Sequence, residues 1–480
     1  MIKSDHSKMS AVENHLRYRI LIAGDTSHSM TLSDRMAYYK VPGVSIAVIN
    51  QGKLDWAKGY GNVSFSTSAK NIDDQTLFQA GSISKALNAM GALLLVQKGL
   101  LTLDGDVNQY LKSWKIPDNE FTSAEKVTLR RLLSHSAGIS VHGFSGYTVA
   151  ADIPNILNIL DGRKPGVNSD PIRVIQKPAS VFRYSGGGTT IIQLLIEDIT
   201  GEKYDSWIQK NILIPLHMNR SSFNQPLTDK QSLLNVACGY HANGEAVEGQ
   251  WHVYPEMAAA GLWTTPTDLA SYMVELFKML QKQPGILDPA LMQEAVTPQI
   301  KIENWFSDTI SEAMGLGFFL AGNARNLKIA HDGGNEGFIG RFMAFPEEGK
   351  GLVIMVNNDA AFSLIDEITY SIADVYSIPG FEAIQKPEIL ISDKSKYSGF
   401  VGTYQCEDEE LTISLHHNKL FLSFWYSMEM ELHREKEDLF FIQEGSDAVR
   451  LMQSGAAYQV NIISSKTEKI YHKMSKSISG

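Results

Sequence analysis

The pattern of apolar residues changes character near residue 397, and that change limits the folds open to the chain. Before it, short β-branched runs are interspersed with long stretches of helical spacing. After it come only short alternating segments, "LTISL", "LFLSFWY", "MEMEL", "DLFFI", "AVRLM", "YQVNII" and "KIYHKM", divided by turn residues such as "HHNK". A period of two places apolar side chains on one face of a strand, so this part predicts a small all-β sandwich or barrel. A chain of 480 residues also exceeds what one core supports, which predicts two or three domains. The composition shifts divide it into an N-terminal segment at 1–29, a first domain at 30–380, a linker at 381–396 and a β domain at 397–480.

In the first domain "GVSIAVIN" (43–50) reads as a strand, "QGK" as its turn and "LDWAKGYG" as the hairpin partner. "ISKALNAMGALLLVQKG" places Ile83, Leu87, Met90 and Leu94 at helical spacing and stops on Gly99. "TTIIQLLIEDITG" (189–201) and "PTDLASYMVELFKMLQ" (266–281) read as further helices, while "GLGFFLAG", "LKIAHDGG" and "GRFMAFPEEGKGLVIMVNN" read as antiparallel strands. A hairpin at the start, helices between and strands at the close predict an α+β domain: one antiparallel sheet flanked by helices.

The net charge of −10, with no run of Lys and Arg, argues against nucleic acid or an anionic membrane as partner. The two cysteines, Cys238 and Cys406, form no disulfide framework and no metal knuckle. The start has no apolar signal-peptide core, and no apolar stretch is long enough to span a bilayer, so the sequence reads as cytoplasmic. No cofactor or metal is called for.

Three short segments could carry chemistry. Ser82 and Lys85 are three apart, so on a helix both side chains leave the same face. A serine hydroxyl needs a base, and a lysine serves as one only when burial or neighbouring cations lower its pKa. Gly81 would let the backbone turn sharply and present Ser82 at a helix N-terminus. Serine is also a favoured N-cap, and the same spacing recurs at Ser123 and Lys126 in a polar stretch with no evident role. "FRYSGGGTTIIQLL" places Tyr184 on a loop before a helix, where it could relay a proton; its glycines suggest a phosphate cradle only weakly, for no GK[ST] follows. "KIAHDGGNEGFIGRF" ends a strand with His331, Asp332, Gly333 and Gly334, where glycines would let a substrate lie against the backbone and His331 could donate to it.

Ser-x-x-Lys, Tyr-Ser-Gly and His-Asp-Gly in this order resemble the serine β-lactamase and penicillin-binding protein superfamily. "VPGVSIAVI", "LRRLLSHSAGI" and "AAGLWTTPTDLASY" are similar to segments of its class C β-lactamase-related branch, which includes carboxylesterases and D-amino-acid peptidases. The likeness covers about residues 30–375, and the tail resembles a lipocalin-like domain. It implies Ser82 as the acylated nucleophile, Lys85 and Tyr184 sharing the proton work, and an oxyanion hole from the backbone N–H groups of Ser82 and Gly334. His331, with Gly333 after it, would stand where many relatives keep a lysine.

Two departures bear on substrate. Gly186 occupies the place of an asparagine in the tyrosine motif, so a side-chain donor is missing, and His331 is mostly neutral where lysine is a fixed cation. Both favour a small ester, or a short peptide or amide, over a β-lactam. A weak β-lactamase or penicillin-binding protein and a non-catalytic binding protein stay open as alternatives, as does a homo-oligomer. Of the remaining residues, His135 reads as packing behind the site, His241 and His252 as surface, His416 and His417 as a hairpin turn without a metal partner, and Phe421, Phe424 and Trp425 as barrel core. Trp263 would border the cleft.

Overall fold

Gln51 and Gly52 both take positive φ, 52° and 70°, the two-residue turn whose twist suits a hairpin. The strands it joins are β1 (Gly43–Asn50) and β2 (Lys53–Gly61), running from Gly43 opposite Gly61 to Asn50 opposite Lys53. This hairpin belongs to a computed structural model that describes residues 6–25, 30–66, 69–123, 125–228, 235–303, 311–323, 325–390, 394–407, 409–417, 419–424, 429–445, 447–464 and 468–474. Contacts divide the chain into two units, Val41–Asp359 and His6–Lys40 with Ala360–Gly480.

In the first unit β3 (Ile300–Lys301), β4 (Ala313–Met314), β5 (Phe319–Ala321), β6 (Lys328–Asn335), β7 (Phe338–Phe345) and β8 (Lys350–Val356) complete an eight-stranded sheet in the order β2-β1-β8-β7-β6-β5-β4-β3. Every neighbouring pair is antiparallel. The predicted α+β arrangement is therefore what the chain forms. All eight residues of β7 are buried, which means that both faces of the sheet centre are covered.

A 3-10 turn, Gly81–Ile83, leads into helix α1 (Ser84–Gln97), where every residue from Ser84 to Leu95 is buried. A helix apolar on all sides belongs inside a core, and α1 is that helix. Helix α2 (Gly186–Thr200) begins three residues before its predicted start, because Ser185 caps it through Gly188 N–H at 2.9 Å. The three glycines thus form its first turn instead of a loop. The short helix α3 (Met257–Ala260) packs against α1 and α2, and α4 (Pro266–Leu280), capped by Thr265, lies against β1, β2 and β8.

The second unit holds the predicted β domain, nine antiparallel strands: β9 (Gly402–Cys406), β10 (Glu409–His416), β11 (Lys419–Phe424), β12 (Met430–Glu431), β13 (His433–Arg434), β14 (Leu439–Phe441), β15 (Ala448–Ser454), β16 (Ala457–Ile463) and β17 (Glu468–Lys473). Their order is β12-β11-β10-β9-β17-β16-β15-β14-β13. The two outermost strands are consecutive in sequence and separated only by Leu432, so the sheet curls until its edges meet in a nearly closed barrel. Leu411, Ile413, Leu420, Leu422, Val449 and Leu451 alternate into its core. Phe424 packs against that core, whereas Phe421 stacks on His416 with ring centroids 4.3 Å apart; Trp425 lies outside the described residues.

The helices of this unit, His6–Asn14, Leu32–Tyr38 and Phe362–Tyr376, pack on one another. Among them Arg35, 7% exposed, makes two hydrogen bonds to Glu367 at 2.8 and 2.6 Å, and Tyr39 donates to the same carboxylate at 2.7 Å. Removing one member of a buried pair strands the other charge, at about 3–5 kcal/mol, whereas replacing both with apolar residues is far milder. Arg35→Met should therefore destabilise this unit by that amount and the double variant Arg35→Met, Glu367→Leu by clearly less. Denaturant titrations of both variants measure the difference.

Candidate active site

Ser82 lies on the 3-10 turn and is the partly exposed residue of a turn otherwise buried. Gly81 before it has φ +50°, which an L side chain rarely adopts. A Cβ at Gly81 would also fall 2.6 Å from Gly334 N, because β6 passes directly alongside. Gly333 is constrained in the same way: its added Cβ would sit 1.9 Å from the Ala80 carbonyl and 3.0 Å from Ser82 N. The two predicted oxyanion amides, Ser82 and Gly334, therefore stand on adjoining backbones that only glycine allows to come so close. The end of β6 is tied down by Asn335, whose amide donates to Gln79 at 2.7 Å and to the Ala260 carbonyl at 3.0 Å.

Lys85 follows one turn later. Its Nζ donates to Ser82 Oγ at 2.9 Å and to the Ala259 carbonyl at 2.8 Å. Burial lowers its pKa to about 7, since an ammonium loses hydration there that two hydrogen bonds restore only in part. Tyr184 also bonds the Ser82 hydroxyl, but burial raises its phenol above 10 and this bond offsets only part of the rise. The phenol is thus neutral and Lys85 is the better base; Tyr184 can pass a proton but not begin by taking one. Lys85 Nζ lies 5.0 Å from the Tyr184 ring centroid.

His331 is buried in the same cluster, its ring 5.1 Å from Phe319 and 6.3 Å from Tyr184. Burial and the Lys85 charge lower its pKa to about 4, so it is neutral. Nδ1 lies 2.6 Å from the Asp332 carbonyl, an oxygen that only accepts, so the proton is on Nδ1. Nε2, buried and without a partner among the described residues, is left as an acceptor. The expected donation from His331 to a substrate carbonyl does not fit this tautomer. Asp332 points away and pairs with Arg341 through two 2.8 Å bonds.

His135 takes the expected supporting place. Its Nδ1 accepts from Ser185 N–H at 3.2 Å, its carbonyl accepts from Arg183 N–H, and its ring lies 4.4 Å from Tyr184. The glycine cradle does not form: Gly186 N–H and Gly187 N–H donate to the carbonyls of His142 and Val141. Trp263 is 1% exposed and packs on Trp251 and Phe338 instead of bordering a cleft. Ser123 and Lys126 bond separately to Glu120 and Asp118. His252 contacts the Ser145 carbonyl, and His416 pairs with Glu429. His241 pairs with Asp359 at 2.8 Å, with Glu336 close by. These three could share an ion, as could Glu388, Glu431 and His433.

Three features were missed. His142, in the loop after His135, lies 4.9 Å from the Tyr184 ring. The Ala259 carbonyl holds Lys85, and only the "AAGLW" segment pointed toward it. Glu256, directly before α3, is wholly buried, and neither of its carboxylate oxygens has a partner among the described residues. Burial pushes its pKa up to about 8.

The chain is similar to known proteins in sequence and in fold. A family model described as Beta-lactamase matches residues 30–375. Protein flp of Staphylococcus aureus strain MRSA252 is 26% identical over 328 residues, 67% of this chain but 60% of that protein's length. Penicillin-binding protein 4* of Bacillus subtilis strain 168 is 23% identical over 403 residues, 78% of this chain and 83% of that one. Among solved structures, the octameric penicillin-binding protein homologue from Pyrococcus abyssi has a TM-score of 0.61 at 22% identity, covering 92% of this chain and 98% of that one. SurE in a structure with D-Leu has a TM-score of 0.56 at 19% identity, covering 92% and 97%.

Two expectations follow from the buried groups. With Lys85 as base, the rate at which an acylating probe labels Ser82 should rise with pH through about 7 as the amine becomes neutral, and Lys85→Arg should abolish that rise, since arginine stays protonated. Labelling rates from pH 5.5 to 9 measure this. For Glu256 the folded pKa is raised, so its contribution to stability is complete below the unfolded value of 4.5 and is lost as pH climbs toward 8, at about 1.4 kcal/mol per unit. Glu256→Gln should flatten that decline in denaturant unfolding between pH 5 and 8.

Proposed function

Because the chain belongs to the beta-lactamase family, whose chemistry is serine-type acyl transfer, we propose that Ser82 is the nucleophile of an acyl hydrolase acting on a small ester or a short peptide or amide. The observation that carries this reading is the Lys85 amine, 2.9 Å from Ser82 Oγ and poised at about 7. In this mechanism neutral Lys85 takes the hydroxyl proton as Oγ attacks the substrate carbonyl. The oxyanion forms toward the Ser82 and Gly334 amides. As the bond to the leaving group breaks, that group takes the proton from Lys85, directly or through the Tyr184 hydroxyl, and an acyl-enzyme remains. Water then loses a proton to the same amine, attacks the acyl carbon, and Ser82 leaves with the proton returned.

The ester reading is supported by the neutrality of His331, which provides no fixed cation for a substrate carboxylate, and by Gly186, which provides no side-chain donor to a substrate amide. The same reading takes a small molecule as partner, with neither nucleic acid nor membrane, in the cytoplasm; no helix among the described residues is long and apolar enough to cross a bilayer. It includes assembly into a homo-oligomer, as in the octameric homologue of Pyrococcus abyssi.

Intact mass after a fluorophosphonate probe tests the nucleophile. One adduct is expected on wild type and none on Ser82→Ala; an adduct on both overturns the assignment. Rapid turnover of p-nitrophenyl esters with no burst on nitrocefin is expected; a slow pre-steady-state burst with nitrocefin followed by little turnover would favour the penicillin-binding or weak β-lactamase alternative.

A further inference from the structure

Glu336 and Gly337 turn the chain from β6 into β7. Gly337 has φ +79°, and an added Cβ would lie 2.5 Å from Gly239 Cα, so the turn is pressed against the segment that carries His241. The chain leaving β8 arrives at the same place: Asp359 N–H donates to the Tyr240 carbonyl at 2.9 Å, and Asp359 Oδ2 accepts from Gly337 N–H at 3.2 Å. Glu336 N–H donates to the Tyr254 hydroxyl at 2.9 Å, and His241 N–H to the Glu245 carbonyl at 2.9 Å. Three segments distant in sequence are thus fixed by their backbones, and each brings one side chain to a common point.

His241 Nδ1 lies 2.8 Å from Asp359 Oδ2 and 3.7 Å from Glu336 Oε1, and one ligand atom from each residue falls within 4.8 Å of the other two. A tetrahedral ion with bonds of about 2.0–2.1 Å holds its ligands about 3.4 Å apart, between the first two distances. The side chains of His241, Asp359 and Glu336 are 34%, 26% and 37% exposed, so an ion can reach them from solvent. Among the described residues neither carboxylate pairs with a lysine or arginine. Their charge acts on the surroundings: burial raises the Tyr254 phenol, and Glu336, Glu256 and Asp359 raise it further.

We propose that His241, Glu336 and Asp359 are three ligands of one divalent ion of the zinc class. A nitrogen with two carboxylate oxygens suits zinc or cobalt, whereas magnesium and calcium take oxygen ligands. In the metal-free protein the Nδ1 proton bridges His241 to Asp359; the ion takes that place, and the proton of the ring moves to Nε2. Bound there, the ion ties the β6–β7 turn to the His241 segment and to the chain leaving β8. It thereby holds the end of the strand whose Gly334 lies two residues before Glu336. The assignment does not depend on Ser82 being the nucleophile.

Cobalt chloride is the probe, because four-coordinate cobalt absorbs strongly in the visible. Titrated into the full chain after treatment with a chelator, it should bind as a single equivalent with those bands. Zinc should abolish them, and an excess of magnesium should not. His241→Ala should weaken cobalt binding by at least about a hundredfold, since even partners outside a coordination sphere are worth about 10–100-fold. Glu336→Gln, which keeps the shape of the side chain, should weaken it by about tenfold or more. Glu388→Gln, in the other three-residue group, should bind as wild type does. Zinc should raise the melting temperature of wild type and not that of His241→Ala. The proposal is overturned if wild type binds no cobalt, if magnesium displaces it, if the bands persist in both His241→Ala and Glu336→Gln or vanish in Glu388→Gln, or if zinc raises both melting temperatures equally.

Discussion

The site depends on one amine kept out of water. Lys85 lies in a helix buried on every side, with the Ser82 hydroxyl and the Ala259 carbonyl as its hydrogen-bond partners. Charge there is expensive, and that expense turns a surface cation into a base near neutrality. The neighbouring groups follow from it. The Lys85 charge helps to hold His331, His135 and His142 neutral, so few like charges compete when the amine does carry its proton.

Burial alone would leave the serine idle without backbone close to it. Gly81 and Gly333 allow β6 to run against the nucleophile's turn at distances no Cβ tolerates. The sheet, through the Asn335 bonds to Gln79 and Ala260, fixes where that strand ends. Core helix and sheet edge thus meet at one serine, and the antiparallel architecture matters to chemistry through this contact.

Much of this could be read from the chain. Hairpin, helices and barrel strands announce themselves by period and turn residues, because those signals are local. The spacing of Ser82 and Lys85 is local too, and places them within a hydrogen bond. Tyr184 and His331 came through resemblance, since 99 and 246 residues separate them from Lys85 in sequence and no period links such distances. Where the reading failed, the deciding partner was remote. The glycines after Tyr184 join a helix because carbonyls from residues 141 and 142 satisfy their N–H groups. The tautomer of His331 is set by a backbone oxygen. Trp263 turned inward onto Trp251 and Phe338. Glu256 gave no signal at all, for a lone Glu before alanines reads as an ordinary helix start.

The barrel of the second unit closes where β12 and β13, two residues each, flank Leu432. A sheet exposes its unpaired N–H and C=O groups only along its outer strands, and here those strands are short and face each other. Among the described residues of the barrel, the two terminal strands leave a neighbouring molecule only two residues each on which to add a strand. A contact between copies made through the barrel would therefore rest on side chains, so that it can be altered by substitution without disturbing the ladder that holds the barrel together.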